Sequence, residues 1–154
     1  MTRSNVKSWA WLTEPAPALS PVRRVTAIVL GVFLVFAGTS HVSFARDEFQ
    51  SQVPGWLPLD ADVVVVASGV VEIGLGACLI LMRKHRVPVG FAVALFFLAV
   101  FPGNIAQYVD RRPAFGLDSD TARLIRLFFQ PLLVLWALAS TGAWRSMRQH
   151  NKHH

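Results

Sequence analysis

Glu72 stands near the middle of Val63–Met82, a run long enough to cross a bilayer and otherwise free of charge. An ionisable group at that depth is costly and ordinarily has a partner and a task. His41, Asn104, Gln107, Arg126 and Gln130 fall toward one end of three further apolar runs, and Ser68 lies one helical turn from Glu72. Glu72 and Arg126 form the natural ion pair, because an arginine can extend inward while a glutamate extends outward. Such a pair serves either as a staple that fixes helix order or as part of a ligand site. An imidazole changes charge near neutral pH, so His41 could shuttle a proton or hydrogen-bond a quinone-like carbonyl; the alternative is a histidine satisfied by Glu72 or Ser68. Phe97 and Phe101 are candidates for the apolar wall of a shared pocket.

Several other chemistries have no support in these residues. Cys78 is the one cysteine, so the chain cannot build an internal disulfide, a Cys-x-x-Cys redox centre or a thiolate metal cluster. In a membrane helix it reads as a small packing residue. Haem ligation by two histidines would need a second intramembrane histidine, whereas His85, His150, His153 and His154 lie outside the apolar runs. No metal site and no cofactor within the chain is expected, and no phosphate-binding glycine loop, hydrolase triad or nucleic-acid motif is recognisable.

The elements that must position these groups are legible in the composition. With 154 residues, 53% of them hydrophobic and 16% charged, the chain has more apolar surface than a soluble core of this size can hide. Four stretches reach the ~20 residues that span a hydrocarbon core: Val25–Phe44, Val63–Met82, Val87–Tyr108 and Leu124–Trp144. They predict an all-α membrane protein, an antiparallel four-transmembrane-helix bundle, with its transmembrane domain over residues 25–144. The leader, residues 1–24, spaces Val6, Trp9 and Leu12 with Arg3 and Lys7 before Pro15, Pro17 and Pro21. It reads as a short interfacial helix with a stiff linker or as a disordered leader. Residues 145–154 form a basic tail. Lys and Arg concentrate in the leader, in Arg83–Arg86 and in the tail, which places both termini in the cytoplasm and makes the net charge of +6 a signature of anionic lipid rather than nucleic acid.

Helix contacts in lipid depend on close approach, so small residues mark the faces that meet. Gly31 and Gly38 share a stripe with His41, and Gly69 and Gly76 share one with Glu72, which predicts that the first two spans pack through these faces. Pro102 and Pro131 sit beside the polar residues of the last two spans and free the carbonyls of Leu98 and Leu127. The connection Ala45–Asp62, with Phe49, Trp56 and Leu57, is expected either to anchor at the membrane surface or to fold over the bundle as a lid. Together these features predict a polar cavity opening toward the outside.

Five motifs in order over Gly38–Trp136 resemble the DoxX family of small four-helix membrane proteins. They are Gly38-x-x-His41, Val53-Pro54-x-Trp56-Leu57-Pro58, Ser68-Gly69-x-x-Glu72-Ile73, Phe101-Pro102-x-Asn104 and Arg126-x-x-x-Gln130-Pro131. Val42 departs from the family's phenylalanine after the histidine. The resemblance implies a multi-pass bacterial inner-membrane protein and nominates His41, Glu72, Asn104, Arg126 and Gln130 as motif residues. It also implies an accessory subunit of a quinone- or thiol-linked redox system, with redox protein partners carrying the electron cofactors. On that reading a quinone is the candidate ligand, and a homo-oligomer is possible within the lipid bilayer. The alternatives are a small-solute binding or transport protein, and a membrane scaffold whose polar core only sets the fold.

Overall fold

Local signals in the chain set where each helix begins and ends. A computed structural model describes residues 18–112, 116 and 119–150. The leader before residue 18, the tail beyond residue 150 and the expectations placed on them lie outside the described residues. Among the described residues the regular elements are helices: α1 Pro21–Val42, α2 Arg46–Gln50, α3 Ala61–Leu81, α4 Arg86–Val109, α5 Asp120–Thr141 and α6 Ala143–His150, with a 3-10 turn over Arg83–His85. The segments Pro21–Val42, Ala61–Leu81, Arg83–Val109 and Asp120–Thr141 are long and apolar enough to cross a membrane. Their outward faces carry large apolar side chains such as Phe36, Val70, Leu95 and Phe128, all at least 60% exposed, the reverse of a water-soluble surface.

The helix boundaries shift by a few residues from the sequence expectation, and two of the shifts have a plain local cause. Pro21 opens α1 instead of ending the leader, because a proline costs nothing in the first helical turn, where its missing N–H would have had no partner. The last long helix stops at Thr141 rather than Trp144. Gly142 takes a left-handed conformation (φ 79°), which ends α5 and lets α6 start in a new direction. Asp60 caps α3 by accepting from the amides of Asp62 (2.9 Å) and Val63 (3.1 Å), and Ser119 caps α5 by accepting from that of Ala122 (3.2 Å).

The glycine stripes bring two backbones together. A Cβ placed on Gly31 would stand 2.8 Å from the Gly76 carbonyl oxygen, and one on Gly69 would stand 2.8 Å from the Gly38 oxygen. Residues 31 and 38 therefore meet 76 and 69, so α1 and α3 run antiparallel at glycine-to-glycine distance. The second hairpin, α4 with α5, uses side chains as well: a Cβ on Gly90 would collide with Thr141, and at the other end the polar groups of α4 and α5 bond to each other. The hairpins meet where Trp136 Nε1 donates to the Thr26 carbonyl (3.2 Å) and where Leu30, Leu34, Val93 and Ala137 pack with no exposure at all. This core occupies the end of the helices that carries Arg83–Arg86, here called the basic end. Toward the opposite, loop end, the hairpins part.

Candidate functional site

Where the hairpins part, a cavity of about 890 Å3 opens among α1, α3, α4, α5 and the connection after α1. His41, Ser68, Glu72, Phe97, Asn104, Arg126 and Gln130 all line it, so four helices contribute polar groups to one chamber. His41, Glu72 and Gln130 are each buried.

Glu72 does not pair with Arg126. The carboxylate lies against His41 instead, with Nδ1 to Oε2 at 2.8 Å, because the Gly38–Gly69 contact draws α1 onto α3 until the imidazole reaches across. Among the described residues neither atom has a further hydrogen-bond partner, so the two depend on each other. Ser68 Oγ bonds back to the Val65 carbonyl (2.9 Å). Phe49, from α2, meets the imidazole edge to face at 89°.

On the other wall, Gln130 is fully engaged. Its Oε1 accepts from Asn104 Nδ2 (2.9 Å) and its Nε2 donates to the Phe97 carbonyl. That carbonyl lies one residue before Leu98, whose own bond is removed by Pro102, so the amide reinforces α4 where its ladder is weakened. Gln130 thus positions Asn104 rather than offering its own amide to a ligand.

Arg126 Nη2 donates to Gln52 Oε1 (2.7 Å) in the connection after α1. Gln52 lines the cavity, and its buried Nε2 has no hydrogen-bond partner among the described residues. Sequence reasoning missed it because a glutamine in a loop has no period to follow. The signal available was its place in a segment rich in Pro and Trp beside Val53–Pro58.

Two expected residues stand elsewhere. Gln107 is buried but does not line the cavity. It lies one turn beyond Asn104, where its Nε2 reaches the Arg112 carbonyl (3.5 Å) and its own carbonyl accepts from the Arg112 amide (3.2 Å), closing the end of α4. Phe101 is also outside the lining, since the cavity face of α4 runs through Phe97, Val100 and Asn104 and turns Phe101 to the flank.

The connection covers the chamber. Arg46 and Gln50 both bond Asp62 at the start of α3, Gln50 at 2.9 Å. The Asp62 hydrogen bonds hold the Arg46 guanidinium above its ordinary pKa, so this latch keeps its charge throughout the physiological range. Arg112 clamps the same segment from α4's end, donating to the carbonyls of Ser51 (3.4 Å) and Val53 (3.0 Å). Gly103 lets it approach, since a Cβ there would stand 2.8 Å from the Gln52 backbone carbonyl oxygen.

Phe33, Phe36, Phe129 and Leu133 line the cavity too, although the first three face outward with 45–64% exposure. One end of the chamber is therefore polar and buried, and its mouth is aromatic and open at the helices' outer surface. Among the described residues no three His, Cys, Asp or Glu side chains converge on a possible metal position. No curated protein and no solved structure matches the chain. The family described as Domain of unknown function (DUF8561) matches residues 30–141, and the chain belongs to that family.

Proposed function

We propose that the four long helices form an antiparallel bundle in a bacterial inner membrane, with both termini cytoplasmic, and that the protein is an accessory subunit of a quinone- or thiol-linked redox system of the DoxX type. The observation that carries this reading is the shape of the cavity: a buried polar end joined to an aromatic mouth at the membrane-facing surface. A water-soluble solute has no use for such a mouth. A quinone does, because its apolar tail stays among acyl chains while its carbonyl oxygens seek donors.

The chain's own groups then divide the work. Gln52 Nε2 is a buried donor without an acceptor among the described residues, and Arg126 holds that carboxamide in place. Asn104, fixed by Gln130, is the second candidate for a carbonyl oxygen. Reducing a quinone to the quinol takes two electrons and two protons. The electrons come from a redox centre on a partner protein, and protons reach the ring oxygens through the His41–Glu72 pair, the ionisable couple on the cavity wall.

Extraction into native lipid particles followed by quinone quantitation tests this. Wild-type protein is expected to retain quinone, and Glu72→Gln and Gln52→Leu are expected to retain markedly less while still folding. Absence of quinone from the wild type, or retention at the wild-type level by both variants, overturns the reading.

A further inference from the structure

Two carboxamides of the large cavity have their orientation dictated by neighbours that hydrogen-bond with one sign only. Gln130 Nε2 faces the Phe97 carbonyl, which can only accept, so its Oε1 is turned to Asn104 and takes one of that residue's two N–H groups. Gln52 has the opposite neighbour. Its Oε1 accepts from Arg126 Nη2 at 2.7 Å, and a guanidinium can only donate, so an amide turned the other way would set N–H against N–H. With Oε1 committed, the group left to meet a ligand is Nε2, which donates and cannot accept and has no hydrogen-bond partner among the described residues.

The backbone leaves this amide little freedom. Arg112 donates to the carbonyls on either side of it, Ser51 (3.4 Å) and Val53 (3.0 Å), and Gly103 packs against the backbone carbonyl of Gln52 itself. The connection is therefore pinned where the side chain leaves it, and a donor held in advance acts on a ligand without first being reoriented.

A ligand that meets Nε2 must bring an acceptor. The oxygen of an oxidised quinone is a carbonyl and carries no hydrogen. A quinol oxygen is a weaker acceptor, because its lone pair delocalises into the ring, and its own hydrogen needs a partner that the committed Oε1 does not supply. Asn104 does not discriminate, since beyond its bond to Gln130 it has both a second N–H and a carbonyl to offer. We propose that Arg126 is a positioning residue which, by fixing the polarity of the Gln52 amide, makes the cavity select the oxidised, carbonyl form of its ligand over the reduced, hydroxyl form. This selection rests on the reading of the cavity as a quinone site and adds a direction to it: the quinone is held and the quinol is released.

The test measures binding of a decyl-substituted benzoquinone and, under anaerobic reducing conditions, of its quinol to the full chain in detergent micelles, together with the midpoint potential of the bound couple. Wild-type protein is expected to bind the quinone about tenfold more tightly, the effect of one unsatisfied hydrogen-bonding group. That ratio lowers the potential of the bound two-electron couple by ~30 mV. Gln52→Glu keeps the contact to Arg126 but replaces the donor with an acceptor, and should reverse the preference. Arg126→Leu frees the amide to turn and should bring the two affinities together, whereas Arg126→Lys, which also only donates, should keep most of the preference. A role confined to holding the connection in place would weaken both forms alike and leave their ratio and the potential unmoved. Equal affinity of the wild type for both forms, or a wild-type ratio in Gln52→Glu, overturns this inference and leaves the quinone site standing; a wild type that binds neither form overturns both. The wild-type comparison involves no substitution, so it decides the matter even where a variant does not fold.

Discussion

The two ends of the helix assembly solve opposite problems. At the basic end Leu30, Leu34, Val93 and Ala137 close the space between the hairpins completely. At the loop end the same four helices part around about 890 Å3, and the side chains facing one another there are His41, Glu72, Asn104, Arg126 and Gln130. The closed end holds the helices in place, so the open end can keep polar groups apart that would otherwise collapse onto each other. The glycine contacts of α1 with α3 extend this rigidity toward the open end and deliver His41 to Glu72.

A set of substitutions breaks or sharpens that contrast, beginning with the largest effect. Leu34→Ala removes a fully buried side chain from the closed end and should cost about 2–5 kcal/mol in reversible unfolding from mixed micelles. A cost below that of any loop-end variant would mean the closed end is not the anchor. Gly69→Ala places a methyl group 2.7 Å from the His41 Cβ and should cost about 1–3 kcal/mol and disturb the His41–Glu72 contact. Gly74→Ala, on the same helix with nothing within 4 Å, should be neutral or slightly stabilising, so equal effects at the two glycines would refute close packing as the cause.

Gln130→Leu leaves the Phe97 carbonyl and the Asn104 amide without their partner, and a loss of about 1–3 kcal/mol is expected. It should be partly recovered in the double variant with Asn104→Leu, which removes one of the two orphaned groups; a double-mutant cycle with no coupling would separate these residues. A small loss of stability, under about 1 kcal/mol, is expected for Arg112→Ala, which frees the carbonyls of Ser51 and Val53 near the surface. Its readout is faster amide exchange across residues 45–57. Unchanged exchange would show that the cover is held by Arg46–Asp62 and Gln52–Arg126 alone.

The four apolar runs, the glycine stripes and most of the polar residues now facing the cavity could be read from the chain, because helical periodicity and the cost of polar groups in hydrocarbon are local properties. Glu72 illustrates where that reading stopped. Its burial followed from its position, but its partner depended on how closely α1 approaches α3, and the imidazole arrived before the guanidinium did. Gln107 shows the same limit in another form: it shares the cavity stripe of α4 but stands one turn too far along, where the chain reverses and uses its amide.

Composition and spacing by themselves determined that this chain builds long apolar helices carrying a few costly polar side chains, since both follow from the residues within a single turn or span. Tertiary structure alone decided that Glu72 meets His41, that Gln52 reaches Arg126, and that Phe101 turns away from the chamber. Those outcomes depend on interhelical distance, helix rotation and the path of a nonperiodic loop, quantities that no one helix's sequence contains.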